Sequence, residues 1–216
     1  MLCSARSLLG YRLHETDGDL GVVEDFYFDD ASWRIRYLVA GMGGWLHHRR
    51  VLISPASLGH PDTVARRFPV SLTKAQISSA PDVDTDRPVS RQQEVAMSAH
   101  FGWPAYWTHE PALVAEFESR VDPATAHVEG DPHLRSFCEL IRYRVRAKDA
   151  VLGSVSDLLL EEDGWTVGGV IIDTAGGLRH HRVRIATGSV KAIRWKAMEV
   201  VVEHTRAELE QQPAGV

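Results

Sequence analysis

Apolar and polar residues alternate with period two over several short stretches of this chain, the spacing of β-strands with one buried face. Gly21 to Phe28 and Trp33 to Ala40 are rich in Val, Ile, Phe, Tyr and Trp, and the residues between them, Asp29, Asp30, Ala31 and Ser32, form turns. Together they predict a hairpin. Trp33, Ile35, Tyr37 and Val39 make its inward apolar face, with Arg34 and Arg36 outward and Trp33 as a core anchor. A turn containing Gly41, Gly43 and Gly44 leads to a third strand ending in Val51, Leu52 and Ile53, and a fourth is expected around Phe68 to Leu72. Thr73 with Gln76 then forms a capping box, the reciprocal arrangement that opens a helix. Four to six short strands with turns this tight predict a small barrel, closed or nearly closed, because closure removes unpaired strand edges.

The same pattern returns at an offset of 132. Tyr11 to Pro81 matches Tyr143 to Pro213 without a gap, with identities that include Asp17 and Asp149, Gly21 and Gly153, Asp25 and Asp157, Trp33 and Trp165, His48 and His180, and Arg50 and Arg182. In the second copy Trp165, Val167 and Ile171 keep the strand parity, a final strand falls at Met198 to Glu203, and Thr205 with Glu208 repeats the capping box. The chain therefore divides into a first barrel-like module at 1–81, a connector at 82–132 and a second module at 133–216. The fold class is mainly β, two repeated small barrels joined by a partly helical connector. In the connector, Ser90 with Gln93 caps a helix carrying Glu94, Val95, Met97 and Phe101, which Gly102 and Pro104 stop before the aromatic cluster Trp103, Tyr106 and Trp107.

The residues of the first copy, Leu8, Leu9, Gly10 and Tyr11, then Asp17, Gly18, Leu20, Gly21, Val23, Asp25 and Phe26, then Trp33 to Val39 and Val51 to Pro55, resemble the PRC-barrel domain. The second copy, through Tyr143, Gly153, Asp157, Trp165 and Val183, is similar to the same domain. The resemblance implies two tandem PRC-type barrels over roughly two-thirds of the chain, without a catalytic signature. Members of that family include the cytoplasmic domain of the photosynthetic reaction-centre H subunit and the carboxyl-terminal domain of a ribosome-maturation factor. Both act by binding other macromolecules, so the resemblance implies an adaptor.

Composition narrows the partner. The chain of 216 residues is 44% hydrophobic and 25% charged, as globular proteins are. No apolar run is long enough for a membrane span and the amino terminus lacks a signal peptide, so a cytoplasmic location is expected. Cys3 and Cys138 are then expected to be reduced thiols. Each module carries an excess of about one positive charge, whereas the connector holds ten acids against three arginines. That distribution disfavours nucleic acid, whose binders usually carry a basic domain.

Candidate chemistry is sparse. His47 with His48, and His180 with His181, are adjacent on strands and so face opposite ways, a poor arrangement for chelation. Asp82, Asp84 and Asp86 open like a calcium loop, but Arg87 and Gln93 occupy positions that need Gly and Glu. Asp25 and Asp157 are expected to bond nearby backbone amides. His48 and Arg50, with His180, Arg182 and Arg184, fall on outward strand faces, as solvated faces or as stripes that could grip an anionic partner or the acidic connector. These residues, with Trp103, Tyr106 and Trp107, are the candidate partner-binding set, docking onto the chain's own barrels being the first expectation for the connector aromatics and a partner or second subunit the next. No catalytic, cofactor-binding or metal-binding residue is assigned. The expected function is a non-enzymatic scaffold or adaptor acting through protein contacts, with homodimerisation one arrangement. An RNA or ribosome-associated factor is the first alternative, and an enzyme with a site between the barrels is the second.

Overall fold

The computed structural model describes residues 2–15, 18–43, 49–80, 91–103, 133–174 and 181–210. The first module runs β1 (Leu2–Ser4), α1 (Ala5–Leu8), β2 (Arg12–Glu15), β3 (Gly18–Asp29), β4 (Ile35–Met42), β5 (Arg49–Ile53), β6 (Arg67–Pro69) and α2 (Lys74–Ser78). After α3 (Arg91–Phe101) the second module runs β7 (Leu134–Ser136), α4 (Phe137–Leu140), β8 (Arg144–Arg146), β9 (Val151–Glu161), β10 (Thr166–Thr174), β11 (Arg182–Ile185), β12 (Val190–Arg194), β13 (Glu199–Val202) and α5 (Arg206–Glu210). The chain is mainly β.

Two sheets carry the repeat. The first has the order β5-β4-β3-β2-β6 and the second β11-β10-β9-β8-β13-β12. One rung across the first passes through Asp62, Arg67, Arg12, Val22, Gly41 and Arg50. The matching rung of the second passes through Arg194, Glu199, Arg144, Ser154, Asp173 and Arg182, each 132 residues further on. Register is set here by the core face, since a slip of one residue would turn Leu13, Val23 and Leu38 outward. Gly21 answers a close approach: a Cβ there would lie 2.4 Å from the Gly41 carbonyl oxygen.

Neither ladder closes fully, so of the closed or nearly closed barrel expected from strand number each module shows an open sheet. β5 and β6 end the first sheet, and the turn of 3-10 helix at Pro55–Ser57 stands at the gap, with the Ser71 amide donating to the Ser57 carbonyl (2.9 Å). Simple alternation also fails in β4. Leu38 and Ala40 are buried along with Ile35, Tyr37 and Val39, because both faces of this strand are covered; Tyr37 Oη donates to Glu94 of α3 (3.1 Å).

The principal departure from two self-contained modules is a reciprocal strand exchange. β1 of the first module pairs antiparallel with β9 of the second, Leu2 to Ser4 opposite Glu161 to Leu159. β7 of the second pairs antiparallel with β3 of the first, Leu134 to Ser136 opposite Asp29 to Tyr27. The helical turns follow their strands across: α1 packs on β9 and α4 on β3, with Ala5, Leu8, Phe137 and Leu140 fully buried. One apolar core runs through both modules and includes Met97 of α3.

Asp25 and Asp157 lock the exchange. Asp25 accepts from Ser136 Oγ (2.5 Å) and the Cys138 amide (2.9 Å) of the other module, as well as from its neighbour Phe26 (2.7 Å). Asp157 accepts from Ser4 Oγ, the Arg6 amide (3.0 Å) and the Leu158 amide (2.8 Å). Each serine caps the helical turn that crosses, Ser4 for α1 and Ser136 for α4. The expected bonds to nearby amides are made at Phe26 and Leu158, and each aspartate in addition holds an amide of the other module, 151 residues away for Asp157 and 113 for Asp25. Burial pushes the Asp25 carboxyl above its ordinary value, partly offset by the Ser136 and amide donors.

Trp33 and Trp165 occupy matching sites, yet they are half-buried instead of core anchors. Both take positive φ, 58° and 47°, at the turns that start β4 and β10. Those turns meet: the Ile35 amide donates to the Trp165 carbonyl and the Val167 amide to the Trp33 carbonyl, each at 2.7 Å. The rings stack at this seam, Trp33 on Phe28 (5.7 Å) and Trp165 on Phe68 of the first module (5.6 Å).

Asp25→Ala and Asp157→Ala each strand a serine hydroxyl and two amides without their acceptor. Each substitution is expected to lower stability by about 1–3 kcal/mol in urea unfolding, because a buried donor loses its partner. Unchanged midpoints for both variants would show that the exchange does not depend on these carboxylates.

Candidate functional site

Side chains paired across a sheet share a face, so the second sheet's rung places Arg194, Arg144 and Arg182 on one outer surface. Arg146 and Arg184, two residues along their strands, join them. All five are exposed. The carboxylates among them are Glu199, which accepts from Arg146 Nε (2.7 Å) and Arg194 Nη1 (3.3 Å), and Asp173, which accepts from Arg182 Nε (3.2 Å). The Arg146 hydrogen bond, with the positive charge of Arg146 and Arg194, holds the Glu199 carboxyl below the usual range. On the first sheet the same positions carry Asp62 for Arg194, Leu52 for Arg184 and His14 for Arg146. The repeat has thus diverged in charge on this face while keeping its register.

The sequence-derived candidates separate in the structure. Arg182 and Arg184 lie in the basic face just described. Arg50 is drawn into an ion pair with Glu24 (2.9 Å). Trp103 is docked on its own first module: Nε1 donates to Ser57 Oγ (2.8 Å) and the ring stacks on Phe101 (4.2 Å). His48, His180, Tyr106 and Trp107 lie outside the described residues, as do His47, Asp82, Asp84 and Asp86. The residues missed at first, Arg144, Arg146 and Arg194, sit on strands of three to five residues, too short to show a period. Arg144 and Arg146 alternate with buried Val145, which is the faint signal that could have marked them.

A second feature lies at the seam between modules. A cavity of about 500 Å³ opens between the start of β4, the Ser54–Pro55 turn, α3 and the Gly164–Trp165 turn of the second module. Arg34, Arg36, Ser98, Trp103 and Trp165 are among its walls. Arg36 is held by Asp29 (2.7 Å). Burial acts to raise the Asp29 carboxyl, but the Arg36 bond and the Ser32 and Ala31 amides outweigh it and keep it low. Among the described residues no three His, Cys, Asp or Glu side chains gather as metal ligands.

Residues 4–77 match the PRC-barrel domain family. The match begins at the capping Ser4 and ends within α2, so it takes in the exchanged turn α1 as well as β2 to β6. The PRC-barrel match does not extend to the second module, which shares the strand order but replaces Arg36 and Tyr37 with Gly168 and Gly169. No curated protein matches the chain. No helix among the described residues is long and apolar enough to cross a membrane.

Glu199 titrates lower in the folded chain than in the unfolded one, so its contribution to stability is present above the unfolded value and is lost as pH falls through the folded one. Glu199→Gln is expected to remove that part of the acid dependence of urea unfolding. An acid limb identical to wild type would contradict the assignment of Glu199 as the anchor of Arg146 and Arg194.

Proposed function

We propose that the protein is a non-enzymatic adaptor whose two modules, both of PRC-barrel type, work as one body and dock an acidic protein surface on the outer face of the second sheet. The observation that carries this reading is the five-arginine face, three of whose arginines stand where the first module has Asp62, Leu52 and His14. Arginine forks suit planar carboxylates; Glu199 orients Arg146 and Arg194, Asp173 orients Arg182, and Arg144 and Arg184 carry no such ion pair among the described residues. A protein partner is favoured over nucleic acid because the chain as a whole carries a formal charge of −5, which repels a polyanion at long range. The PRC-barrel match supports the same reading, since the family resemblance implies macromolecular binding without a catalytic signature. The like strand order of the second sheet supports counting it as a second copy.

The test is capture of host proteins by the full chain, compared with the Arg144→Glu, Arg184→Glu double variant. A protein retained by wild type, resistant to nuclease and held at least about tenfold less by the variant is expected, with retention falling as salt rises. Nuclease-sensitive retention would replace this reading with the RNA alternative, and retention indifferent to the double substitution would place the partner elsewhere.

A further inference from the structure

The seam cavity is lined unevenly by the two modules. The first contributes Ser32, Arg34, Arg36, Tyr37 and Ser54. At the corresponding positions the second module has Gly164, Thr166, Gly168, Gly169 and Ala186. One strand order is therefore built with either set, and the polar lining is an addition that the fold does not require. α3, which has no counterpart in the repeat, closes the wall with Ser98, and Trp103 just after the helix completes it.

Three features describe what would fit. Arg34 is exposed at the cavity and its guanidinium makes no hydrogen bond or ion pair with any described residue, so its positive charge is available to a ligand. The Ser98 side chain belongs to a residue only 9% exposed, lines the same space and likewise has no hydrogen-bond partner among the described residues. Trp103 and Trp165 are fixed in place by Ser57 and by their stacks on Phe101 and Phe68, which gives the cavity rigid aromatic walls. A volume of about 500 Å³ lies in the range of small-molecule sites and far exceeds what a bare inorganic ion fills.

From this geometry we infer that the seam cavity is a binding site for a small aromatic molecule bearing one oxyanion group, with the oxyanion on Arg34 and Ser98 and the planar body between Trp103 and Trp165. Because its walls come from both modules and from α3, an occupant would bridge all three. The site is distinct from the arginine face of the second sheet, and the inference does not rest on which partner that face takes.

The experiment uses the full chain and 8-anilinonaphthalene-1-sulfonate, an aromatic oxyanion with a planar naphthalene ring whose fluorescence rises in apolar surroundings. Saturable enhancement with one site per chain is expected. Arg34→Gln should weaken it at least about tenfold, the loss of a charge-assisted hydrogen bond, while Arg34→Lys should recover part of the affinity. Arg182→Gln, on the outer face of the second sheet, should leave it unchanged, and circular dichroism of each variant should match wild type. Displacement by adenosine monophosphate identifies a phosphate ligand and displacement by benzoate a carboxylate, and either supports the site. Absence of saturable enhancement, enhancement that Arg34→Gln leaves intact, or a bound dye that neither competitor displaces would overturn it.

Discussion

The structure depends on one contact made twice: an aspartate in the long strand of each module accepts from the serine and the helical-turn amide that the other module sends across. Asp25 holds Ser136 and Cys138, and Asp157 holds Ser4 and Arg6. A carboxylate is the right group for this because it accepts several bonds at once, and hydrogen bonds to a charged acceptor are about twice as strong as neutral ones. The short strands β1 and β7 have three residues each, too few to hold a sheet edge alone, so they stay in place through the aspartates and through Leu8, Phe137 and Leu140 behind them. Burial of such a side chain contributes roughly 1.5–3 kcal/mol.

The rest of the arrangement follows from that exchange. With β1 on β9 and β7 on β3, the turns carrying Trp33 and Trp165 are brought together and exchange two backbone hydrogen bonds. Asp30 is then close enough to accept from Trp195 Nε1 (2.7 Å) and Arg135 Nε (3.2 Å), while Arg135 lies over the Trp195 ring at 4.6 Å. His60 of the first module likewise meets Glu162 of the second (3.1 Å). The seam cavity exists because these turns meet beside α3, and the arginine face exists because the second sheet keeps the register of the first while changing its charges.

Much of this was legible in the sequence. The offset of 132 predicted the repeat, β3 to β5 fell where the apolar runs lie, and the capping boxes at Thr73 and Thr205 are present, the latter with the Thr205 amide donating to Glu208 (2.8 Å). Pattern failed where the physics is non-local. Three-residue strands show no period, and nothing in a run of alternating residues says that its partner lies in the other copy. A signal was nevertheless present: the offset extends back to Leu2 with Leu134, Ser4 with Ser136 and Leu8 with Leu140, the residues that cross. Trp33 and Trp165 misled because a large aromatic at the head of a strand reads as core, whereas positive φ puts both at a turn. The cavity could not be read at all, since it joins Arg34, Ser98 and Trp165 from three separate parts of the chain.

The exchange is tested most directly by cutting the chain without otherwise altering it. A specific protease site placed between residues 104 and 132 severs the covalent link between modules while leaving both crossing strands intact. The nicked protein is expected to elute under native conditions as one particle of the intact 24.0 kDa chain's size and to part into two fragments only in denaturant. Two fragments that separate in native buffer, each folded and monomeric, would show that the modules are independent and would contradict the account.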